Sequence, residues 1–387
     1  MSERIPADWD PRSQAVLDDQ ITAYDDMRRR CPIAYSEYQQ WTVFRHADVL
    51  RILQDHESFS NVVSRHISVP NGMDPPLHTP YRKLIEPYFA ADRVHAFEPE
   101  CRAIAQELVG GLPDAGVVEL NAEFAEPCAL RIQCAFMGWP ETLHEPLRQW
   151  MGKNRAATLS GNRAETAEVA AEFDGYIRAL LKTRRSSTNR DDVTARLMRE
   201  EVNGRRLSDE EIVSILRNWT VGELGTIAAS VGILVHALAV DPTLQSRLRK
   251  NAALLPAAID EILRKHAPLI ANRRITTRPV EIGGRRIGAG ERITILWASA
   301  NRDEAVFPEP DAVRLDRDPR QNLLYGAGIH VCPGAPLARM ELRVIMEALL
   351  AGTSVLATVP AQAPQRACYP GSGFTVLPLR VESTCKQ

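Results

Sequence analysis

The sequence predicts a mainly α-helical protein with small peripheral β-sheets, organised as a single domain over residues 1–387. Three observations predict it. Helix-forming sequence dominates from about residue 47 to residue 270. Within it, the stretch 209–240 has a start signal, a stop signal and an uncharged second half. After residue 276 the pattern changes to short β-branched runs separated by Gly and Pro.

Near the start, residues 33–45 (IAYSEYQQWTVFR) are rich in β-branched and aromatic side chains and predict a hairpin. The clearest helix follows Ser208, which with Glu211 forms an S-x-x-E capping box with acids in the first turn. Asp241-Pro242 ends it. At 1.5 Å per residue this helix is roughly 48 Å long. Its apolar second half predicts a path through the middle of the molecule. Two glycines, Gly222 and Gly225, interrupt it. Each costs about 1 kcal/mol relative to alanine, so either a close approach or a helix distortion is expected there. Further on, Val280 to Ile287 reads as a Gly-Gly hairpin, Arg292 to Trp297 as a strand, Ala335 to Ala351 as a helix, and Phe374 to Val381 as a strand.

Composition narrows the function. Net charge is −2, which argues against a nucleic-acid binder relying on an overall basic field. The N-terminus is polar and acidic, without a signal core. The longest uncharged apolar stretch, 224–240, has 17 residues and contains Gly, Ser, Thr and His, short of the roughly 20 a membrane span needs. A soluble, cytoplasmic protein with no membrane segment is expected. Seven cysteines, an odd number with no C-x-x-C pair, argue against a disulfide scaffold or zinc ribbon.

One cysteine stands apart. In residues 325–339 (YGAGIHVCPGAPLAR), three glycines permit a tight backbone and a helix begins directly after Cys332. Backbone N–H groups and the helix dipole there favour a thiolate. A lone cysteine is most often a small buried hydrophobe. Zinc would need three or four ligands, and only His330 and Cys332 are local. A single thiolate on a Gly-rich loop suits an axial ligand to haem iron, where the porphyrin supplies the other donors.

Residues 325–334 resemble the cysteine-ligand loop of the cytochrome P-450 family, F-G-x-G-x-H-x-C-x-G, with Tyr325 in place of Phe. The resemblance implies haem b held by Cys332, with Tyr325, Gly326, His330 and Gly334 around it. Glu261 and Arg264 resemble the family's E-x-x-R element, which fixes the core beneath the haem together with a further arginine; Arg314 is the expected partner. His78 and Arg82 match a D-P-P-x-H-x-x-x-R segment. With Arg274 and His330 they are the expected cations for the haem propionates. The helix 209–240 is then the long central helix over the haem.

The sequence departs from the family at one place. Most members carry A-G-x-D/E-T-T on the long helix, where an acid–alcohol pair supplies protons for dioxygen cleavage. Aligned on Gly222, this chain has Leu224 at the acid position and Gly225 at the alcohol position. Glu223 is about 100° around the helix from the acid position. It either joins a proton relay or pairs elsewhere. Thr226 either donates to dioxygen or bonds to the preceding turn. Protons then come through ordered water beside the glycines, through the substrate, or are bypassed by peroxide.

By position, Val63, His66, Val221, Gly222, Leu269, Ile270 and Phe374 are expected to line the substrate pocket. Neither a flavin nor a nicotinamide domain fits in 387 residues beside this fold. Electrons are therefore expected from a ferredoxin, or a flavodoxin, and its reductase. Arg82, Lys83, Arg339 and Arg343 would form a positive docking patch. The reading is a monomeric haem-thiolate monooxygenase acting on a small molecule, aromatic or peptide-derived. A peroxide-driven oxygenase and a haem binder without turnover are the alternatives.

Overall fold

The computed structural model describes residues 5–186 and 191–384. Cys385, expected to be an ordinary thiol, lies outside them.

The helix predicted after Ser208 is present as Asp209–Val240. Its capping box is complete: Ser208 Oγ accepts from the Glu211 N–H at 3.2 Å, and the Glu211 carboxylate accepts from the Ser208 N–H at 2.7 Å. Glu211 also receives both Arg205 Nη atoms, at 2.7 and 2.8 Å, and the Tyr81 hydroxyl. These contacts pull its pKa down to about 2. The helix packs against helices Glu126–Met137, Arg163–Arg185, Leu255–His266 and Ala335–Gly352. Length and apolarity alone would let it cross a membrane, but 67% of its most apolar window is buried inside the protein.

The glycines were expected to mark a close approach or a distortion. Neither occurs among the described residues. The helix runs unbroken, and a Cβ on Gly222 or Gly225 would meet nothing within 4 Å. The glycines instead open space beside the backbone.

Helix Ala91–Gly110 lies along Ala335–Gly352, completing a main core that includes Phe124, Leu216, Val231, Leu263 and Leu349. The β structure is peripheral. A five-stranded sheet has the order Ile33–Ser36, Gln40–Val43, Arg292–Leu296, Ala271–Thr276, Phe59–Ser60. Only the Gln40–Val43 and Arg292–Leu296 pair is parallel, with Thr294 opposite Thr42. Trp297, expected to end a strand, begins a short helix instead. A three-stranded sheet joins Thr353–Thr358, Pro378–Ser383 and Ala115–Glu119. The Gly-Gly hairpin forms as Val280–Ile282 and Arg285–Ile287. Sequence reading missed the hairpin Glu201–Val202 and Arg205–Arg206, although Asn203 and Gly204 both take positive φ and an Asn-Gly pair is a hairpin signal.

Ser208→Ala removes the cap on the longest helix. It is expected to lower unfolding free energy by about 1 kcal/mol, read as a drop in the denaturant midpoint at unchanged m value.

Candidate active site: a cysteine loop under a long helix

The loop around Cys332 is held by its own backbone and by distant contacts. The Cys332 N–H donates to the Tyr325 carbonyl at 2.8 Å. Gly328 has φ +70°, and a Cβ there would lie 2.1 Å from the Leu53 carbonyl oxygen, so glycine is required. Arg82 Nη1 donates to the Val331 carbonyl at 2.7 Å, fastening the loop to helix His78–Ile85. The helix Ala335–Gly352 starts directly after the loop, with Pro336 in its first turn. The Gly334 and Ala335 N–H groups bond to the Cys332 thiol and favour the thiolate, against burial, which pushes its pKa up. Cys332 is surface-accessible while burial is still the strongest influence on its thiol. It therefore opens onto an enclosed space rather than bulk solvent. Tyr325, at the position of the family's Phe, lies under the Arg339 guanidinium, 4.3 Å from its ring centre.

Beside this loop stand cationic and polar groups that lack acidic partners. His78 is 3% exposed, and its ring sits 4.5 Å from that of His330. The Nε2 atoms of both are buried without a hydrogen-bond partner. Burial and the neighbouring cations push the His330 pKa down to about 3. Burial lowers His78 as well. Among the described residues Arg274, 6% exposed, donates only to the Arg273 carbonyl. Burial brings its pKa to about 10. The carboxylate within electrostatic reach of all three, Asp74, is taken up by Ser60 and the Asn61 N–H, and buried donors left without a direct acidic partner fit a ligand that brings carboxylates. The Cys332 thiol at a helix start fits a soft iron ligand. The residues present therefore suit haem.

On the central helix, Val221 is 40% exposed, and Gly222 and Gly225 are also exposed, whereas Leu224 is 1% exposed. An open stripe thus runs along an otherwise buried helix. The Thr226 hydroxyl donates to the Gly222 carbonyl at 2.6 Å, the back-bonding alternative of the sequence reading. Glu223 faces neither this stripe nor solvent alone. Its carboxyl meets that of Glu341, on the helix after the cysteine loop. Glu341 was missed, although it falls four residues from both Leu337 and Ile345 on the apolar face of its helix.

The E-x-x-R element is present as a buried pair. Arg264 Nε and Nη2 lie 2.8 and 2.9 Å from the Glu261 oxygens. Its third member corrects the sequence reading. Arg317 Nε, not the Arg314 guanidinium, reaches Glu261, at 2.8 Å. Arg314 offers Glu261 only its backbone N–H, and its side chain turns outward to Asp316. The Arg317 side chain is 10% exposed against 42% for Arg314, because its Nη atoms bond the Pro308 and Glu309 carbonyls.

Of the expected pocket residues, Val63 is half-buried, His66 is exposed, and Leu269 is 38% exposed. Phe374 is half-buried with its ring 4.6 Å from that of His236. Ile270 is corrected: it is 5% exposed and packs into a core cluster with Tyr24, Phe44 and Leu296. Three of the four residues of the expected positive patch are engaged with acids, while Lys83 is exposed. Arg82 pairs with Glu86, Arg339 with Asp260, and Arg343 with Glu98 and Glu347.

Residues 151–362 match the family model described as Cytochrome P-450. The chain belongs to the cytochrome P-450 family. It is 31% identical over 341 residues to cyclomarin C epoxidase of Salinispora arenicola, covering 84% of this chain and 86% of that one. It is 32% identical to erythromycin C-12 hydroxylase of Saccharopolyspora erythraea, covering 84% and 85%. The structure of the open cytochrome P-450 EryK from S. erythraea superposes with a TM-score of 0.87 at 27% identity, covering 100% of both chains. The P-450 is thus a bacterial-type haem-thiolate monooxygenase that binds haem b.

Arg317→Ala leaves Glu261 short of a charged partner and is expected to cost about 2–3 kcal/mol. Arg314→Ala is expected to stay within about 0.5 kcal/mol. Denaturant titration of both variants checks the pair. A pH dependence follows from Glu341, whose pKa is raised well above the carboxylate range by burial and by Glu223. In the unfolded chain it ionises at its ordinary value while the folded chain retains the proton. It therefore costs no stability below that value and costs increasing stability as pH rises above it. The Tm of Glu341→Gln is expected to gain on that of wild type as pH rises above the ordinary glutamate value of about 4.3.

Proposed function

We propose that this P-450 oxidises a bulky natural product, aromatic or peptide-derived, using electrons from a separate ferredoxin (or flavodoxin) and its reductase. The observation carrying the reading is the pairing of the Cys332 loop with a central helix whose open stripe, Val221, Gly222 and Gly225, offers room for a large ligand. The two relatives support the substrate class, since their names specify epoxidation of cyclomarin C and hydroxylation of erythromycin. The product is a hydroxylated, O-dealkylated or oxidatively coupled derivative. The protein works as a cytoplasmic monomer of one domain.

Haem, when bound, supplies the one-electron and dioxygen chemistry. The chain supplies the rest. Cys332 is the iron ligand, held by the Tyr325 carbonyl and Gly328. Arg274, His78 and His330 receive the propionates, and Arg82 fixes the loop that carries Cys332. Val221 and the exposed segment at His66 orient the substrate, joined by Leu269 and Phe374. Leu224 is apolar and buried and holds no proton. Protons therefore enter beside Gly222 and Gly225, by a relay through water or substrate. Missing the acid–alcohol pair also favours a second reading, a peroxide-driven oxygenase.

Three measurements test this. Cys332→His is expected to abolish the thiolate signature of the reduced-CO spectrum. Turnover is expected with a ferredoxin and reductase pair and to be slower with peroxide; turnover with peroxide alone favours the second reading. Gly225→Thr places a hydroxyl where space allows it and is expected not to raise product formed per electron pair. A several-fold gain at undiminished rate would count against assisted delivery.

A further inference from the structure

Three bases without acids surround one aromatic ring near the end of the chain. Strands Gln365–Arg366 and Phe374–Val376 pair antiparallel, with Arg366 opposite Phe374. Residues so paired share a face of the sheet, and the Arg366 guanidinium lies 5.4 Å from the Phe374 ring centre. The imidazole of His236, on the central helix, lies 4.6 Å from the same ring. Ser372 Oγ donates to the carbonyl of Ala267, the residue after His266 at the end of helix Leu255–His266. That bond ties the turn before Phe374 to the helix end that carries His266. Among the described residues, no hydrogen bond and no ion pair engages the side chain of His236, His266 or Arg366.

The backbone of this hairpin, by contrast, is pinned. Gln20 Nε2 donates to the Ala367 carbonyl at 3.1 Å, and Asn121 Nδ2 to the Phe374 carbonyl at 2.7 Å. Gly373 has φ +75°, and a Cβ there would lie 3.3 Å from the Ala229 carbonyl oxygen, so the turn rests on the central helix. Between Thr226 and the exposed Val240, only Ala229 and His236 are half-buried on that helix; the rest are buried. Gly373 thus closes the open stripe at Ala229. His236 lies about 10 Å further along the helix, beyond that closure, and meets Phe374 from the side away from Gly222 and Gly225. Arg366 is exposed, so this corner opens to solvent.

Bases this close disfavour one another's charged forms. Burial lowers the His236 pKa, and Arg366 lowers it further. Burial, Lys265, Arg366, Arg302 and His236 push His266 down to about 3. Asp311, the acid within reach of Lys265, is paired with Arg302 at 2.7 Å. A guanidinium stacked on a ring keeps N–H donors at its edge, and a neutral imidazole keeps one N–H donor. Such a donor set matches an oxyanion, whose charge also relieves the mutual repulsion of the bases.

We propose that Arg366, His236 and His266 form a binding site for an oxyanion, a carboxylate, sulfate or phosphate group, which fixes the expected pocket wall Phe374 from behind. The Arg366 fork takes two of its oxygens, and the imidazole N–H groups donate to the same anion. Held between them, the anion joins strand Gln365–Arg366 to the central helix across the Phe374 ring, whose backbone is already fastened. It arrives at the solvent side as a free anion or as the acidic end of a substrate. Its effect on substrate rests on the monooxygenase reading above; the binding of the anion does not.

The test uses the holoenzyme with sodium sulfate as the probe, against sodium chloride at equal ionic strength. Sulfate is expected to raise the Tm above the chloride control and to saturate one site per chain in calorimetry. Arg366→Gln, at an exposed position, is expected to keep the wild-type Tm in chloride and to weaken sulfate binding roughly 10-fold. His236→Gln weakens it as well. Arg380→Gln removes an exposed arginine on another sheet and leaves sulfate binding unchanged. Phenylimidazole, followed by its Soret shift, reports on the pocket. A sulfate effect on its affinity that saturates identifies a free anion acting through Phe374. A competitive loss that does not saturate identifies the place of a substrate's own acid. Either effect disappears in Arg366→Gln. Sulfate no more stabilising than chloride overturns the proposal, and so does equal sulfate binding by wild type and Arg366→Gln, or a phenylimidazole affinity that sulfate leaves unchanged. Sulfate binding by a holoenzyme without the thiolate signature overturns the monooxygenase reading alone and leaves the anion site standing.

Discussion

The geometry around the cysteine depends on burying one guanidinium. Arg264, 1% exposed, pairs with Glu261 and donates to the carbonyls of Asn301 and Pro310. Its guanidinium also lies 4.9 Å from the Phe307 ring centre. Glu261 in turn takes Arg317, which bonds the Pro308 and Glu309 carbonyls. An irregular segment with little secondary structure of its own is thereby fixed to a helix. A buried charge with several partners tolerates no loss of one of them, since truncating one side of such a pair costs about 3–5 kcal/mol. The path from Asn301 to the cysteine loop is set by that intolerance.

Around this scaffold the protein separates two kinds of unpaired charge. On one side of the loop, His78, His330 and Arg274 are donors whose neighbouring acid, Asp74, is hydrogen-bonded elsewhere. Behind the central helix, Glu223 and Glu341 are acids without a base. Each imbalance is costly in isolation, and each is resolved by something the backbone does not provide: a ligand carboxylate in the first case, a proton in the second. Surface arginines show the opposite behaviour, with Arg339 and Arg343 fully engaged with acids.

Much of this was legible in the sequence, for local reasons. A capping box, an Asp-Pro stop and a Gly-Gly turn are encoded within a few residues, and all three appear where expected. Cys332 was legible because the loop and the helix start are contiguous with it. What escaped was non-local. Arg314 and Arg317 both follow the same proline-rich segment, and only the carbonyls of Pro308 and Glu309 decide which one turns inward. Ile270 sits beside Leu269 in sequence but on the opposite side of the packing. Glu341 looked like one charge in a helix of mixed composition, and its burial follows from helices 91–110 and 209–240 closing over it. The glycines of the central helix were noticed for the correct residues and the wrong reason, since they leave room rather than admit a neighbour.

The contact of Gly328 with the Leu53 carbonyl has a temporal consequence. The two residues are separated by 275 positions, 328 minus 53. A contact of such separation forms only after the intervening chain has been synthesised and brought back on itself, against its loop-closure entropy. The cysteine loop is thus shaped by a helix, His46–Gln54, that lies far from it in sequence. The cysteine loop therefore takes its final shape late in folding, once two segments 275 residues apart have met.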